Sequence, residues 1–259
     1  MINAKKSFGQ NFLKDQNIIN KIVNSIEITS DDLIIEIGPG MGALTSKLKD
    51  KGANLVAFEI DERMKPILSK LEDDRTKIIY KDILSVNLLE ELKGIDYKKI
   101  FVIANLPYYI TTPIVEKLIT LNMIDEMTIM VQNEVADRFC ANPSSKNYGM
   151  MSVLLNLNYS LNKLFVVKNT CFNPIPKVDS AVVNMKLKHD AIKVDDYDTF
   201  KSFISKCFSQ KRKTLKNNLG NELFEKVYKE LEKYNYPLTV RAEEIPCEIY
   251  IEICNKCIK

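Results

Sequence analysis

The sequence contains no tryptophan, a single histidine and no long run of apolar residues among its 259 positions. No stretch approaches the roughly 18 consecutive apolar residues that a membrane-spanning helix requires. The first residues are polar and lack the apolar segment that a secretory signal peptide contains. These absences predict a cytoplasmic protein that has no membrane partner.

The scarcity of histidine also argues against a metal site. Six cysteines are present, and Cys254 and Cys257 form a C-x-x-C pair, with Cys247 close to them in sequence. A structural zinc ion takes four ligands, but the one histidine, His189, is far from this group along the chain. We therefore expect no metal ion and interpret the thiols as buried or incidental side chains in a reducing compartment.

Charge is nearly balanced, because 37 basic residues face 34 acidic ones and leave a net charge of +3. With 46% hydrophobic and 27% charged residues, the composition is that of an ordinary globular protein. The distribution of charge is more informative than its sum. Residues 201–216 hold six basic residues and no acidic one, and such a run can neutralise phosphates, although charge runs are more often solvated surfaces.

Short apolar, β-branched runs alternate with amphipathic stretches through the first two thirds of the chain, which predicts βαβ units and a mostly parallel sheet. The last strands follow one another without a full helix, so we expect an antiparallel strand at one edge. After residue 188 the sequence becomes helical and rich in Lys, Glu and Leu, which predicts an α/β domain at 1–188 and a small all-helical domain at 189–259. The seven predicted strands are 33–37, 55–60, 78–80, 100–104, 127–131, 164–167 and 181–187, and the main helices are 42–51, 113–120 and 149–158.

A glycine-rich turn follows the first predicted strand. Gly38, Gly40 and Gly42 alternate with other residues, which lets the backbone approach a ligand closely at the start of a helix. Taken alone, this turn is as consistent with a ligand-free βα turn as with a binding site. Glu59 ends the next strand and can accept hydrogen bonds from both hydroxyls of a ribose, while Asp82 follows the third strand and can bind an adenine amino group. Together these residues favour a cofactor that contains a nucleoside.

The most specific motif is the sequence Asn105-Leu106-Pro107-Tyr108, directly after the apolar strand 100–104. The amine at N6 of adenine is a poor nucleophile, because its lone pair is delocalised into the ring. The side-chain oxygen of Asn105 and the carbonyl of Leu106 can accept its two hydrogens, and Pro107 stiffens the turn that aims this carbonyl. Tyr108 can stack on the base and hold it outside its helix.

With these motifs in place, the chain resembles the ribosomal RNA adenine dimethyltransferases of the small-subunit (KsgA/RsmA) type. The ordered set of matching segments extends over nearly the whole chain and is far more specific than any one of them. The segments are residues 6–13, 36–40, 105–113, 130–138, 148–149, 152–154, 172–181 and 210–217.

The resemblance implies a Rossmann-like class I methyltransferase domain followed by the helical domain. It implies S-adenosylmethionine as cofactor and a reaction that places two methyl groups on N6 of each of two adjacent adenosines near the 3′ end of 16S rRNA, late in small-subunit assembly. Phe172 is expected as a second aromatic wall beside the target base. The residues expected to bind the cofactor are Asn11, Leu13, Gly38, Gly40, Glu59, Asp82 and Asn105.

Two positions depart from the pattern that the resemblance implies. Tyr109 stands where an asparagine is expected, and Lys81 stands where a small residue is expected before Asp82. The first departure bears on how the target pocket accommodates a methylated intermediate. Neither departure removes a group that is assigned to catalysis.

The resemblance also strengthens the assignment of the basic run to RNA. Lys211, Arg212, Lys213 and Lys216 are expected to bind the rRNA of a ribosomal subunit precursor, and the protein is expected to act as a monomer. Three alternatives stay open. They are a large-subunit rRNA adenine methyltransferase that confers antibiotic resistance, a DNA adenine methyltransferase, and a ribosome-assembly or transcription factor that uses the fold without catalysis.

Overall fold

A computed structural model describes residues 9–258 of the chain. These residues form a seven-stranded sheet, a separate pair of short strands, and helices around and after the sheet. The strands are β1 (Phe12–Leu13), β2 (Leu33–Ile37), β3 (Asn54–Phe58), β4 (Thr76–Ile79), β5 (Ile100–Asn105), β6 (Glu126–Gln132), β7 (Tyr159–Val167), β8 (Phe172–Asn173) and β9 (Ser180–Leu187). The α-helices are α1 (Gln16–Val23), α2 (Ala43–Lys49), α3 (Lys65–Leu68), α4 (Leu88–Glu91), α5 (Thr111–Ile119), α6 (Asn133–Phe139), α7 (Met150–Asn158), α8 (Tyr197–Cys207), α9 (Leu215–Leu219), α10 (Asn221–Leu231) and α11 (Cys247–Cys257).

The large sheet has the strand order β4-β3-β2-β5-β6-β9-β7. Strands β4, β3, β2, β5 and β6 run parallel to one another, and β9 runs antiparallel to β6. The predicted α/β class with a mostly parallel seven-stranded sheet is therefore confirmed. The antiparallel strand β9 lies second from the edge, because β7 is the edge strand beside it. Strand β7 begins five residues earlier than predicted.

The sheet forms because its central strands are almost wholly apolar. All five residues of β2 are buried, as are the first five of β5, which is the pattern of a parallel sheet covered on both faces. A hydrophobic cluster that includes Ile34, Phe101 and Ile103 joins the sheet to α1 and α2. This packing fixes the carboxyl ends of β2, β3 and β5 relative to one another.

The short strands β1 and β8 connect two distant parts of the chain. Phe12 pairs with Asn173 and Leu13 with Phe172 in an antiparallel ladder, and the amide of Lys14 donates to the carbonyl of Cys171 at 2.9 Å. The N-terminal arm, by which we mean residues 9–14, is thereby fastened to the segment between β7 and β9. Residues 6–8 of the first matching segment lie outside the described residues.

The chain divides into two compact units. Among the described residues, one consists of residues 9–136 and 162–187, and the other of residues 137–161 and 188–258. One break of this division lies between residues 187 and 188, and residues 137–161 group with the second unit rather than with the strands on either side of them. The physical reason lies in that unit's core, where Tyr148 packs against Phe208, which in turn contacts Tyr250. The functional roles of the two parts stay predictions.

Candidate active site

A cleft that is open to solvent lies in the first unit at the carboxyl ends of β2, β3 and β5. Strands β2 and β5 are neighbours in the sheet although β3 and β4 separate them in sequence, so the cleft lies at the point where the strand order reverses. Open α/β sheets bind their ligands at such a point. The predicted site residues that line it are Asn11, Leu13, Gly38, Gly40, Glu59, Asp82, Asn105, Leu106, Pro107 and Tyr108.

The glycine-rich turn between β2 and α2 forms one wall of the cleft. Gly38 has a φ of +69° and Gly40 a φ of +54°, a left-handed backbone region that other residues rarely adopt. A β-carbon at Gly40 would lie 3.0 Å from ring carbons of Phe12. Glycine is therefore required both by the backbone and by the close approach of the N-terminal arm.

The carboxylate of Glu59 is held by the backbone at the end of β3. Its Oε2 accepts a hydrogen bond from the amide of Gly40 at 2.9 Å, and its Oε1 accepts one from the amide of Asp61 at 2.8 Å. Glu59 is buried, and this burial raises the pKa of its carboxyl. Each oxygen keeps acceptor capacity for a ribose hydroxyl, so the geometry suits the predicted role.

A second carboxyl, which the sequence analysis left without a role, belongs to the same cleft. Glu36 in β2 is only 1% exposed and lines the cleft. Burial raises the pKa of Glu36 to about 8, and its Oε2 has no hydrogen-bond partner among the described residues. A buried acceptor or donor of this kind suits a polar group of a ligand. The signal in the sequence is an acidic residue inside an otherwise apolar strand.

The N-terminal arm forms part of the cleft wall and is fastened near its start. Gln10 donates from Nε2 to Oδ2 of Asp61 at 2.8 Å, and Arg63 binds the same carboxylate with an Nη2–Oδ2 distance of 2.6 Å. The Arg63 guanidinium, together with Gln10, lowers the pKa of Asp61 to about 2. The arm thus places Asn11 and Leu13 on the cleft wall.

Asp82 lies on the same wall and is half-buried. Its carboxylate accepts a hydrogen bond from the amide of Leu84 at 2.9 Å.

The arm also orients the side chain of Asn105. Nδ2 of Asn105 donates to the backbone carbonyl of Asn11 at 3.1 Å. A carbonyl oxygen can only accept a hydrogen bond, so the atom of Asn105 that faces it must be the donor Nδ2 and not the acceptor Oδ1. Oδ1 of Asn105 is the acceptor that remains, as the predicted chemistry at an amine requires. The turn after it is held because the amide of Leu106 donates to the carbonyl of Met130 at 3.1 Å.

Tyr108 is tethered by a residue that the sequence analysis did not single out. Its hydroxyl lies 2.5 Å from Oγ of Ser180, the first residue of β9, which is fully buried. Burial raises the pKa of Tyr108, so the phenol stays neutral. In the preceding residue, the carbonyl of Pro107 accepts a hydrogen bond from the Thr111 hydroxyl at 3.0 Å. The ring is therefore fixed at both its hydroxyl end and its backbone.

Phe172 does not lie where it was expected. It is fully buried in the hydrophobic cluster with Leu13 and Ile19 and is not part of the cleft wall. The cause is its position in β8, where pairing with β1 directs the side chain into the core. This placement does not favour the predicted contact between Phe172 and the target base.

The basic run lies in the second unit, around the start of α9. Lys211, Arg212, Lys213 and Lys216 are all exposed, and the side chain of Lys211 donates to the carbonyl of Lys146. Within that unit, the basic run therefore contacts a loop that is distant from it in sequence. Its contact with RNA stays a prediction.

The three cysteines near the C-terminus differ in burial, since Cys247 and Cys254 are buried and Cys257 is partly exposed. Cys247 is buried with its Sγ 3.3 Å from the carbonyl of Val153, and burial raises its pKa to about 12. Within residues 9–258, no group of three or more His, Cys, Asp or Glu side chains is arranged to hold a metal ion. In the same part of the chain, every helix is too short or too polar to cross a membrane.

Comparison with known proteins identifies similar sequences and structures. A sequence model described as "Ribosomal RNA adenine dimethylase" matches residues 1–258. The Ribosomal RNA small subunit methyltransferase A of Malacoplasma penetrans is 40% identical over 97% of this chain and 91% of its own length. A dimethyladenosine transferase from Plasmodium falciparum has a TM-score of 0.75 and 25% identity, covering 93% of this chain and 95% of that structure. The 23S rRNA methyltransferase ErmE has a TM-score of 0.73 and 21% identity, covering 95% of this chain and 99% of that one.

Proposed function

Because the chain belongs to the ribosomal RNA adenine dimethylase family, we propose that it dimethylates N6 of two adjacent adenosines near the 3′ end of 16S rRNA. The activity is that of an S-adenosylmethionine-dependent rRNA adenine methyltransferase with a Rossmann-like class I fold. The relative from Malacoplasma penetrans is named for the small subunit, whereas the likeness to the 23S rRNA enzyme is one of fold. The observation that carries the proposal is the oriented amide of Asn105 in the cofactor cleft.

The residues of the cleft fit S-adenosylmethionine, which supplies an electrophilic methyl group on a sulfonium centre. Glu59 presents a buried carboxylate that the turn already holds. A β-carbon at Gly38 would meet no atom of residues 9–258 within 4 Å, so the backbone there is open to a ligand. Glu36 contributes a buried oxygen that has no hydrogen-bond partner in the same part of the chain. We assign the ribose to Glu59, the adenine to Asp82 and the remaining polar groups to the N-terminal arm and the glycine turn.

The target amine would be activated by hydrogen bonding alone. In the first transfer, Oδ1 of Asn105 and the carbonyl of Leu106 accept the two hydrogens of the amine, which draws electron density back to nitrogen and favours a tetrahedral geometry. Nitrogen loses one hydrogen as a proton for each methyl group that it gains, so in the second transfer the monomethylated amine donates its one remaining hydrogen to one of these two acceptors. Tyr108 holds the base by stacking, with its ring fixed through Ser180. Holding a nucleophile in a reactive geometry contributes a large part of such a rate enhancement.

We further propose that the substrate is a precursor of the small ribosomal subunit, bound in part by Lys211, Arg212, Lys213 and Lys216, and that the protein acts as a cytoplasmic monomer. The exposed charge of these four residues supports phosphate binding. Size-exclusion chromatography with light scattering measures the molar mass in solution. A monomer gives the chain mass of 29.7 kDa, and a dimer gives twice that value.

The substrate is tested by measuring how many labelled methyl groups enter each kind of particle. Unmethylated small subunits, large subunits and duplex DNA are incubated separately with the protein and labelled S-adenosylmethionine. The proposal expects four methyl groups per small subunit and background incorporation elsewhere. Incorporation into large subunits or DNA instead would reinstate one of the other methyltransferase assignments, and none in any substrate would favour a non-catalytic factor.

A further inference from the structure

Two consecutive tyrosines at the cleft have opposite environments. Tyr108 is half-buried and tethered through its hydroxyl to Ser180. Tyr109 lines the same cleft but is 55% exposed, and its hydroxyl makes no hydrogen bond to the described residues. Single exposed aromatic side chains are common on protein surfaces, so it is the position of Tyr109 in the cleft, and not its exposure alone, that makes its open face available to a ligand.

The two rings cannot serve the same base. Residues 108–110 form a turn of 3-10 helix, in which successive side chains point about 120° apart because the helix has three residues per turn. A base that stacks on the tethered ring of Tyr108 is therefore not sandwiched by Tyr109. The second ring is available to a different group near the mouth of the cleft.

The N-terminal arm supports the exposed ring from one side. A β-carbon at Gly9 would lie 2.9 Å from Cδ1 and 3.3 Å from Cε1 of Tyr109, so the ring rests directly on the glycine backbone. Gly9 has a φ of +57°, which also favours glycine at this position. The ring is thus held against the arm while more than half of its residue surface faces solvent.

We propose that Tyr109 is a stacking subsite for the nucleobase that neighbours the target adenosine. The inference rests on the proposed function, since it requires an RNA strand whose target base enters the cleft. When a base leaves its stack, the adjacent base loses a stacking partner, and an aromatic face at the mouth of the cleft replaces it. Stacking is tolerant of base identity, so the subsite secures the strand rather than reading its sequence.

The test compares Tyr109→Ala and Tyr109→Phe with a matched control, Tyr97→Ala. Tyr97 is 39% exposed and is not part of the cleft wall, so its loss removes a similar aromatic surface without touching the site. Binding of unmethylated small subunits is measured by filter retention, cofactor affinity by calorimetry, and transfer by single-turnover rate at saturating subunits. We expect Tyr109→Ala to weaken subunit binding about tenfold, with Tyr109→Phe and Tyr97→Ala within twofold of the unmodified protein.

Three results would overturn the subsite. One is binding by Tyr109→Ala within twofold of normal, and another is a defect in Tyr109→Phe as large as in Tyr109→Ala, which would assign the effect to the hydroxyl. The third is that Tyr109→Ala loses as much affinity for the cofactor as for the subunit. That result would mean that the ring only supports the N-terminal arm and does not contact RNA. Subunit binding is measured without methyl transfer, so the two proposals can fail separately. If the unmodified protein binds small subunits but does not methylate them, the proposed function is refuted, while the binding affinities of the Tyr109 and Tyr97 variants can still be compared.

Discussion

The cleft of the first unit and the basic run of the second hold their polar side chains in opposite ways. In the cleft, Glu59 is buried and bound by two backbone amides, and Asn105 is bound by the carbonyl of Asn11. In the basic run the four cationic side chains assigned to RNA are exposed, and of these four only that of Lys211 has a hydrogen bond within the described part of the chain.

The difference indicates two kinds of task. Groups that must meet one atom of a substrate in one geometry are fixed before the substrate arrives, which avoids the cost of ordering them during the reaction. Groups that neutralise phosphates act at longer range and through released counterions, so they need charge more than a fixed position. Mutations in the cleft should therefore affect rate or cofactor affinity, and mutations in the run should affect binding in a manner that depends on salt.

The largest expected effect is that of Asn105→Ala. Without the side-chain acceptor the amine stays conjugated and poorly aimed, and the single-turnover rate should fall on the order of 100-fold or more. The matched control is Asn54→Ala, because Asn54 makes the same kind of bond, from Nδ2 to the carbonyl of Asp96 at 3.2 Å, at the opposite end of the sheet. A normal rate for the Asn105 variant would contradict the assigned chemistry.

Glu59→Ala should weaken cofactor binding by roughly 1.5–3 kcal/mol, because a charge-assisted hydrogen-bond acceptor is lost. Calorimetry with S-adenosylmethionine measures the effect, and Glu62→Ala, which removes an exposed neighbouring carboxylate, should leave the affinity unchanged. Equal affinities for all three proteins would remove Glu59 from the binding site.

Reversing the charge of two residues in the basic run, Lys211→Glu with Arg212→Glu, should weaken subunit binding about tenfold at low salt and less at high salt. Cofactor affinity should not change. The control is Lys226→Glu with Lys229→Glu, an equal charge change at exposed positions of α10 outside the run. If both double variants weaken binding alike, the effect belongs to net charge and the run is an ordinary solvated surface.

The smallest effect is expected from Tyr108→Phe, which keeps the stacking face but leaves the buried Oγ of Ser180 without its tyrosine partner. The transfer rate should fall only a few-fold, and Ser180→Ala should match it, because both remove one hydrogen bond worth about 1 kcal/mol. The double variant should be no worse than either single one, and additive losses would show that the two hydroxyls act independently.

Much of the first unit could be predicted from the sequence. Strand β2 was placed at its observed ends, and Glu59 and Asn105 were assigned because polar residues directly follow apolar strands in a parallel sheet. Both follow from the local pattern of apolar residues and from the rule that open α/β sheets bind ligands at the carboxyl ends of their strands.

The contacts that orient these groups could not be predicted in this way. The bond from Asn105 to Asn11 spans 94 residues and that from Tyr108 to Ser180 spans 72, and both depend on packing rather than on periodicity. The pairing of β1 with β8 involves two residues from each strand, too few to leave a pattern, and it is this pairing that buries Phe172. The transfer of residues 137–161 to the second unit likewise depends on aromatic contacts between distant segments.

The central claim is that the fixed groups of the cleft direct a methyl group to N6 of adenine. It is tested most directly by reacting the unmodified protein with unmethylated small subunits, digesting the rRNA, and identifying the modified nucleosides by mass spectrometry. The account predicts N6,N6-dimethyladenosine at two adjacent positions near the 3′ end of 16S rRNA. Methylation at a ring carbon, at a ribose, or on any nucleoside other than adenosine would contradict it.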